Sequence, residues 1–230
     1  INGAGACIIP FTQLKDLAKG AKDEPVEINA EDPLRIGLTN HVGGHAVRQT
    51  VAGMDLDEWP AMHVDMQTKT ADGFIDTYRR LTPFSSTDET RYVLNSVFVE
   101  VGQGKKPVTM AATDGRRLAC FNSMALPLKK SIVVPTTKFL SWTGTGKDVE
   151  IGVREEDDRV WLGVRSGPVF YAVRCVDATY PNFRQVIPAV PGDHVITFTD
   201  SDADLLKQVV PTFPGGDEMT IVGHEGKVTF

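Results

Sequence analysis

Residues 108–122 read VTMAATDGRRLACFN, and the fold turns on how this stretch is read. Residues 108–112 form the apolar run of a buried strand. Asp114-Gly115 supplies a tight turn, because Asp and Gly tolerate the φ > 0 that a two-residue hairpin needs. Residues 118–121 make the return strand. One Asp-Gly hairpin is common in proteins. Weight comes from a second element about sixty residues on, YPNFRQVIP at 180–188.

Working outward, the chain repeats itself. Ile8-Ile9-Pro10 is answered by Val133-Val134-Pro135, 125 residues later. Thr12, Leu14 and Leu17 are answered by Thr137, Phe139 and Trp142. Val26-Glu27-Ile28 is answered by Val149-Glu150-Ile151, and residues 34–38 by 160–164. Trp59-Pro60 is answered by Tyr180-Pro181, 121 residues on. Loop-length changes produce such drift, and a repeat this long means duplicated domains rather than a solenoid. In the first copy, residues 7–9 read as a short strand. Thr12 reads as an N-cap, Leu14, Leu17 and Ala18 as one helix face, and Gly20 as the stop. Strands are expected at 26–28, 34–38 and 46–51.

Residues 67–72 read as the linker between copies. A helix is expected over 73–81, with Phe74, Ile75, Tyr78 and Leu81 on one side. A strand is expected over 92–101. Beyond 188 the pattern restarts, with a strand at 195–198, a helix at 203–209 and strands at 219–222 and 227–230. The expected fold class is α+β, in three parts. Residues 1–66 are the second half of a first domain, 67–190 a complete middle domain, and 191–230 the start of a third. On this reading the sequence is a fragment trimmed at both ends.

The 230 residues carry 24 Lys and Arg against 30 Asp and Glu, a net charge of −6. That argues against a generally basic nucleic-acid binder and leaves room for one basic face. Cys7, Cys120 and Cys175 form no CxxC pair, which fits reduced, buried thiols in a cytosolic protein. No apolar run approaches the ~20 residues of a membrane span.

Together, ATDGRRLA at 112–119 followed by YPNFRQVIP resembles the middle domain of the bacterial sliding clamp, the DNA polymerase III beta subunit family. The resemblance covers residues 8 to about 208. It implies the DNA clamp fold, in which each domain pairs two sheet-and-helix halves. It further implies a homodimer ring around duplex DNA, with helices lining the hole. Such a protein contacts phosphates without reading bases. The basic residues that would do so are Lys15, Lys19 and Lys22 on the first helix, Arg79 and Arg80 on the second, and Lys138 and Lys207 on the others. Arg91 and Tyr92 match a family loop that touches DNA. Where the family has basic residues after the helix-opening proline, this chain has Thr136 and Thr137, followed by Lys138. A solvated helix face is the plain alternative for all of these charges.

The resemblance also implies an apolar groove for short linear motifs of the polymerase, clamp loader and repair proteins. The matching positions are Leu94, Thr113, Gly115, Arg116, Arg117, Leu118, Pro181, Gln185 and Val186. Arg116 stands where a histidine is frequent, and Gln185 where an arginine is frequent. Read without the resemblance, Leu94, Leu118 and Val186 are core residues. The family reading expects no catalytic residue, no metal and no cofactor. One alternative is a clamp-like paralogue that binds partner peptides without loading on DNA. Another is a β-rich cytosolic enzyme using Asp114 and scattered histidines. Asp114 has no recognisable base or nucleophile beside it and reads as a turn former. Residues 143–147, TGTGK, resemble a phosphate loop only faintly, and Asp148 replaces the Ser or Thr that would hold magnesium. His41 and His45 flank Val42-Gly43-Gly44, and Gly-Gly argues against the helix a four-residue metal spacing would need.

Overall fold

The structure is a computed structural model that describes residues 5–21, 24–58, 63–67, 71–101, 107–126, 128–144, 148–189, 197–212, 222–224 and 227–229. The chain divides into two compact units, Ile1–Tyr180 and Pro181–Phe230.

The first unit opens with α1, Phe11–Ala21. Three strands follow, β1 (Glu27–Asn29), β2 (Arg35–Val42) and β3 (His45–Ala52), paired antiparallel in that order. Leu17 of α1 packs on Ile36, Leu38 and Val51 in a small core of its own. Thr12 lies inside α1 and is not its cap. The helix begins one residue earlier, where Pro10 offers its carbonyl to the N–H groups of Gln13 and Leu14. The expected strand at 7–9 is reduced to a single bridge, Ile8 with Met54. Trp59-Pro60 and Lys22 lie outside the described residues, as do 68–70 of the expected linker.

α2 spans Asp72–Leu81, and Phe74, Ile75, Tyr78 and Leu81 are all buried, as their spacing requires. A four-stranded antiparallel sheet follows, in the order β6 (Leu118–Asn122), β5 (Thr109–Thr113), β4 (Ser96–Glu100), β7 (Ile132–Pro135). β4 starts four residues later than the sequence suggests. Residues 91–95 instead form a turn in which Leu94 and Asn95 both donate to the Arg91 carbonyl, each at 2.8 Å. α3, Lys138–Ser141, is one turn long and is capped by the Thr137 hydroxyl, which accepts from Leu140 N. A second three-stranded meander completes the unit: β8 (Glu150–Glu156), β9 (Arg159–Ser166) and β10 (Val169–Arg174). Its Ile151, Leu162 and Val164 share one core with α2 and the four-stranded sheet.

The two meanders have the same strand order. β2 begins at residue 35 and β9 at 159, and β3 at 45 and β10 at 169, a constant offset of 124 residues. Ile36, rather than Leu34, is therefore the counterpart of Val160. The two-residue slip in the sequence reading leaves the same strand face inward, since side chains alternate with period two.

Residues 63–67 lie along the second meander. Gln67 N donates to the Ile151 carbonyl at 3.0 Å, and Ala71 N to the Val149 carbonyl at 2.6 Å. Arg154 Nη1 donates to the His63 carbonyl at 3.0 Å. Two glycines make room for this segment. A Cβ at Gly152 would fall on the Asp65 carbonyl, and one at Gly163 would lie 2.9 Å from Val64 Cβ.

The second unit contains a 3-10 turn, Phe183–Val186, then α4 (Asp200–Val209) and the hairpin β11 (Val222–His224) with β12 (Lys227–Thr229). α4 starts three residues before the sequence expectation. Thr199 and Asp202 form a reciprocal capping box there, with Thr199 N donating to Asp202 Oδ2 at 2.8 Å. Residues 197 and 198 are not in a strand. Of the strand expected at 195–198, residues 195 and 196 lie outside the described residues.

Candidate peptide-binding and nucleic-acid-facing sites

The hairpin of β5 and β6 is closed by a four-residue loop, Asp114 to Arg117, since Thr113 pairs directly with Leu118. The two-residue turn expected from Asp-Gly does not form. The Asp114 carboxylate imposes the longer loop. Its Oδ1 accepts from Arg116 N at 2.9 Å and Arg117 N at 2.8 Å. Its Oδ2 accepts from Arg117 Nε at 3.0 Å. These donors, the two backbone N–H groups first, hold the Asp114 carboxyl well below the usual carboxylate range. Thr113 Oγ1 accepts from Gly115 N and donates to the Arg117 carbonyl at 2.6 Å. Gly115 sits at φ +91°, a conformation that a side chain would strain.

Arg117 does more than close the loop. Its guanidinium reaches the Pro83 carbonyl at 3.4 Å and lies 5.9 Å from the Phe84 ring centroid. Ser86, two residues further, donates its N–H to the Leu94 carbonyl at 2.8 Å. The 83–86 segment thus touches both Arg117 of the hairpin loop and Leu94 of the 91–95 turn. Leu94 and Leu118 are half-buried, neither core nor free surface.

Tyr180 is a residue that sequence reasoning left out of the site. Its hydroxyl accepts from Thr113 N at 3.1 Å, and its ring stacks on Phe98 with centroids 4.9 Å apart. Burial pushes the Tyr180 phenol up to about 12, so it stays a neutral hydroxyl. Its signal in the sequence is the Tyr that opens YPNFRQVIP, a part of the repeat and of the family resemblance. Pro181, Gln185 and Val186 belong to the second unit, where all three are exposed on or beside the 3-10 turn.

The basic residues lie on α1, on α2 and α3, at the 91–95 turn and on α4. Lys15 and Lys19 are exposed on α1, with Lys19 paired to Asp16 at 2.9 Å. Arg79, Arg80 and Lys138 belong to α2 and α3, which pack on each other. Arg79 is largely committed within the fold: it pairs with Asp76 at 3.3 Å and donates to the Trp142 carbonyl at the end of α3. Arg80 lies 4.5 Å over the Phe121 ring with its charge exposed. Lys138 is exposed. Arg91 pairs with Asp88 at 3.4 Å, and Tyr92 beside it is exposed. Lys207, on α4, pairs with Asp204 at 2.9 Å.

A cavity of about 150 Å³ lies elsewhere, between β7, β9 and β10, lined by Ile132, Arg159, Arg174 and Cys175 among others. Burial pushes the Cys175 thiol up to about 12, which leaves it protonated and inert. His41 and His45 sit at the two ends of the β2–β3 turn. Among the described residues, no group of three or more His, Cys, Asp or Glu is placed to hold a metal ion. No helix among them is long and apolar enough to cross a membrane.

No protein-family model matches the chain. It is 24% identical over 204 residues to the beta sliding clamp of Synechococcus elongatus, a match covering 82% of this chain and 51% of that protein. The crystal structure of the sliding clamp from Bartonella birtlesii, bound to griselimycin, superposes with a TM-score of 0.58 at 21% identity over 79% of this chain and 50% of that one. The DNA polymerase III beta subunit from Thermotoga maritima gives a TM-score of 0.58 at 21% identity, over 79% and 49%. The Bacillus subtilis clamp gives 0.56 at 22%, over 78% and 47%. The chain spans about half the length of these relatives. Over about four-fifths of its length the chain has the fold of the bacterial sliding clamps, the DNA polymerase III beta subunit family that its sequence also resembles.

Proposed function

We propose that this chain belongs to a DNA sliding clamp, a processivity factor that encircles duplex DNA and tethers a polymerase through a peptide groove. The observation that carries this reading is the repeated helix-and-meander unit, whose last two strands recur at a 124-residue offset, together with the likeness to clamps over about four-fifths of the chain. Duplicated halves are how a ring is built from one module. The division into 1–66, 67–190 and 191–230 belongs to this reading. Two separate cores within the first unit support its first boundary. Closure into a head-to-tail homodimer ring, with no chemistry of its own and a cytoplasmic location, completes it.

On this reading the mechanism is topological. A closed ring cannot leave DNA sideways, so weak phosphate contacts from Lys15, Lys19, Arg80, Arg91 and Lys138 suffice. The groove of Leu94, Thr113, Leu118 and their neighbours holds a partner's linear motif. Polymerase and loader then rebind at high effective concentration. The test is retention on a circular plasmid after loading. Retained protein should be released when the plasmid is cut. Retention that survives cutting would defeat the topological mechanism.

A second reading has its own observation in favour. Arg79 is spent on Asp76 and Trp142, Lys19 on Asp16, and the net charge is −6. A clamp-like paralogue that binds peptides without loading on DNA would carry such a reduced basic set. It would bind partner peptides in the groove and show no retention on circular DNA at all.

A further inference from the structure

We propose that the cavity between β7, β9 and β10 is a binding site for a free α-amino acid with an apolar side chain. The way the strands part builds it. Cys175, just past the end of β10, donates its N–H to the Val160 carbonyl of β9 at 2.8 Å. Val176, the next residue, donates to the Val133 carbonyl of β7, also at 2.8 Å. The chain thus leaves one sheet for the other, and the gap it bridges is the cavity of about 150 Å³. A void of that size takes one molecule of roughly benzene's bulk. Its apolar lining comes from Ile132, Val133, Val160 and Cys175, all of them buried.

The charges stand on the rim. Lys130, Arg159 and Arg174 line the cavity, and so do Asp158 and Asp177; all five are exposed. Lys130 is matched by Glu155 at 3.8 Å. The side chains of the other four have no hydrogen-bond or ion-pair partner among the described residues. Arg159 and Arg174 share one sheet face, because Arg174 pairs with Trp161 and Arg159 lies two residues before Trp161. Asp158 is set beside them by the β8–β9 turn, at φ +61°.

Two cations and two carboxylates therefore line one opening without neutralising each other. A plain anion would meet both aspartates, and a plain cation both arginines. A molecule that carries one charge of each sign on adjoining groups satisfies both. Its carboxylate takes an arginine fork and its ammonium an aspartate. Its apolar side chain then covers the buried lining, where a charged group would be desolvated without a partner.

The test uses the full chain and L-leucine, with N-acetyl-L-leucine lacking the ammonium and L-leucinamide lacking the carboxylate. Amide NMR shifts locate each ligand and give its affinity. L-Leucine should move the amides of residues 131–133, 158–160 and 174–178. Each blocked form should bind about 5-fold more weakly, as the loss of one exposed ion pair allows. Glycine should also bind more weakly, since it leaves the apolar lining uncovered. Arg159→Gln with Arg174→Gln should bring leucine down to the level of leucinamide without weakening leucinamide. Asp158→Asn with Asp177→Asn should bring it down to the level of N-acetyl-leucine without weakening that ligand; asparagine accepts the backbone conformation of Asp158. All four side chains are exposed, so both variants keep the fold, and amide shifts away from the cavity check it. Either blocked form binding as tightly as leucine would reduce the site to a plain charge and overturn the inference. Leucine shifts that fall outside these residues, or no shifts at all, overturn it as well.

Discussion

The two meanders, β1–β3 and β8–β10, share strand order, register and a helix ahead of them, and they are buried quite differently. Ile151 on β8, paired with Val164, is 2% exposed, while Ile28 on β1, paired with Leu38, is 50% exposed. Val164 on β9 is fully buried; its counterpart is Asn40, also buried, whose Oδ1 has no hydrogen-bond partner among the described residues. Tyr171 on β10 stacks on Phe139 at 4.4 Å, whereas Val47 is 38% exposed. The cause is what lies on the inner face. β8–β10 closes one core with α2 and the four-stranded sheet, while among the described residues β1–β3 closes a small core with Leu17 of α1, flanked by Cys7 and Ile9. A sequence repeat therefore reports backbone topology, while burial is set by the neighbour each copy meets.

The comparison breaks most sharply at the glycines. Thr39 occupies in β2 the position that Gly163 holds in β9, because residues 63–67 lie only on the second sheet. Gly152→Val should drive a side chain into the Asp65 carbonyl and lift that segment. A loss of about 3 kcal/mol is expected, from overpacking against backbone that cannot yield. Chemical denaturation measures it, and a change below about 1 kcal/mol would mean that the segment is not seated on the sheet. The paired truncations Ile151→Ala and Ile28→Ala test burial directly. The first should cost about 3 kcal/mol and the second under about 1 kcal/mol. Equal costs would show that the first sheet is covered as well as the second.

Exchanging Asn40 and its counterpart refines the same point. Asn40→Val removes an enclosed acceptor that has no partner and supplies the side chain its twin already uses. It should stabilise by about 1 kcal/mol. Val164→Asn should destabilise by about 3 kcal/mol, since the amide would be buried among apolar neighbours. A destabilised Asn40→Val protein would mean that Asn40 is satisfied by something the first sheet meets in solution.

What could be read in advance follows from the same physics. The α2 face was legible because Phe74, Ile75, Tyr78 and Leu81 follow the helical period, and the meanders because they repeat. The loop at Asp114 was misread because Asp-Gly preference is a local rule. The carboxylate's capture of two N–H groups decided the loop length instead. The start of β4 was misplaced because Tyr92 and Leu94 look like strand residues, whereas the turn closing on Arg91 removes them from the ladder. The Tyr180 bond to Thr113 joins residues 67 apart in the chain, beyond any local pattern. Tyr180→Phe keeps the ring stacked on Phe98 and leaves Thr113 N without its acceptor. A loss of about 1 kcal/mol is expected, with the hairpin's amide exchange accelerated first. Unchanged exchange in residues 109–122 would remove Tyr180 from the support of the site.

The smallest effect expected is the pH response of the hairpin tip, which has no equivalent at the β2–β3 turn. Donors from Arg116 and Arg117 depress the Asp114 carboxyl in the folded state. A depressed carboxylate adds stability above its unfolded value, near 3.8, and that stability fades as pH falls from there toward the lower folded value. The tip should therefore loosen in acid before either sheet does. Asp114→Asn keeps an acceptor for the two backbone N–H groups and gives up the charge that holds Arg117. The variant should lose the acid-dependent step and gain faster exchange at Arg116 and Arg117 at neutral pH. Amide exchange across a pH series, read residue by residue, separates the two. If the β2–β3 turn loosened over the same acid range as the Asp114 loop, the carboxylate would not be what distinguishes them.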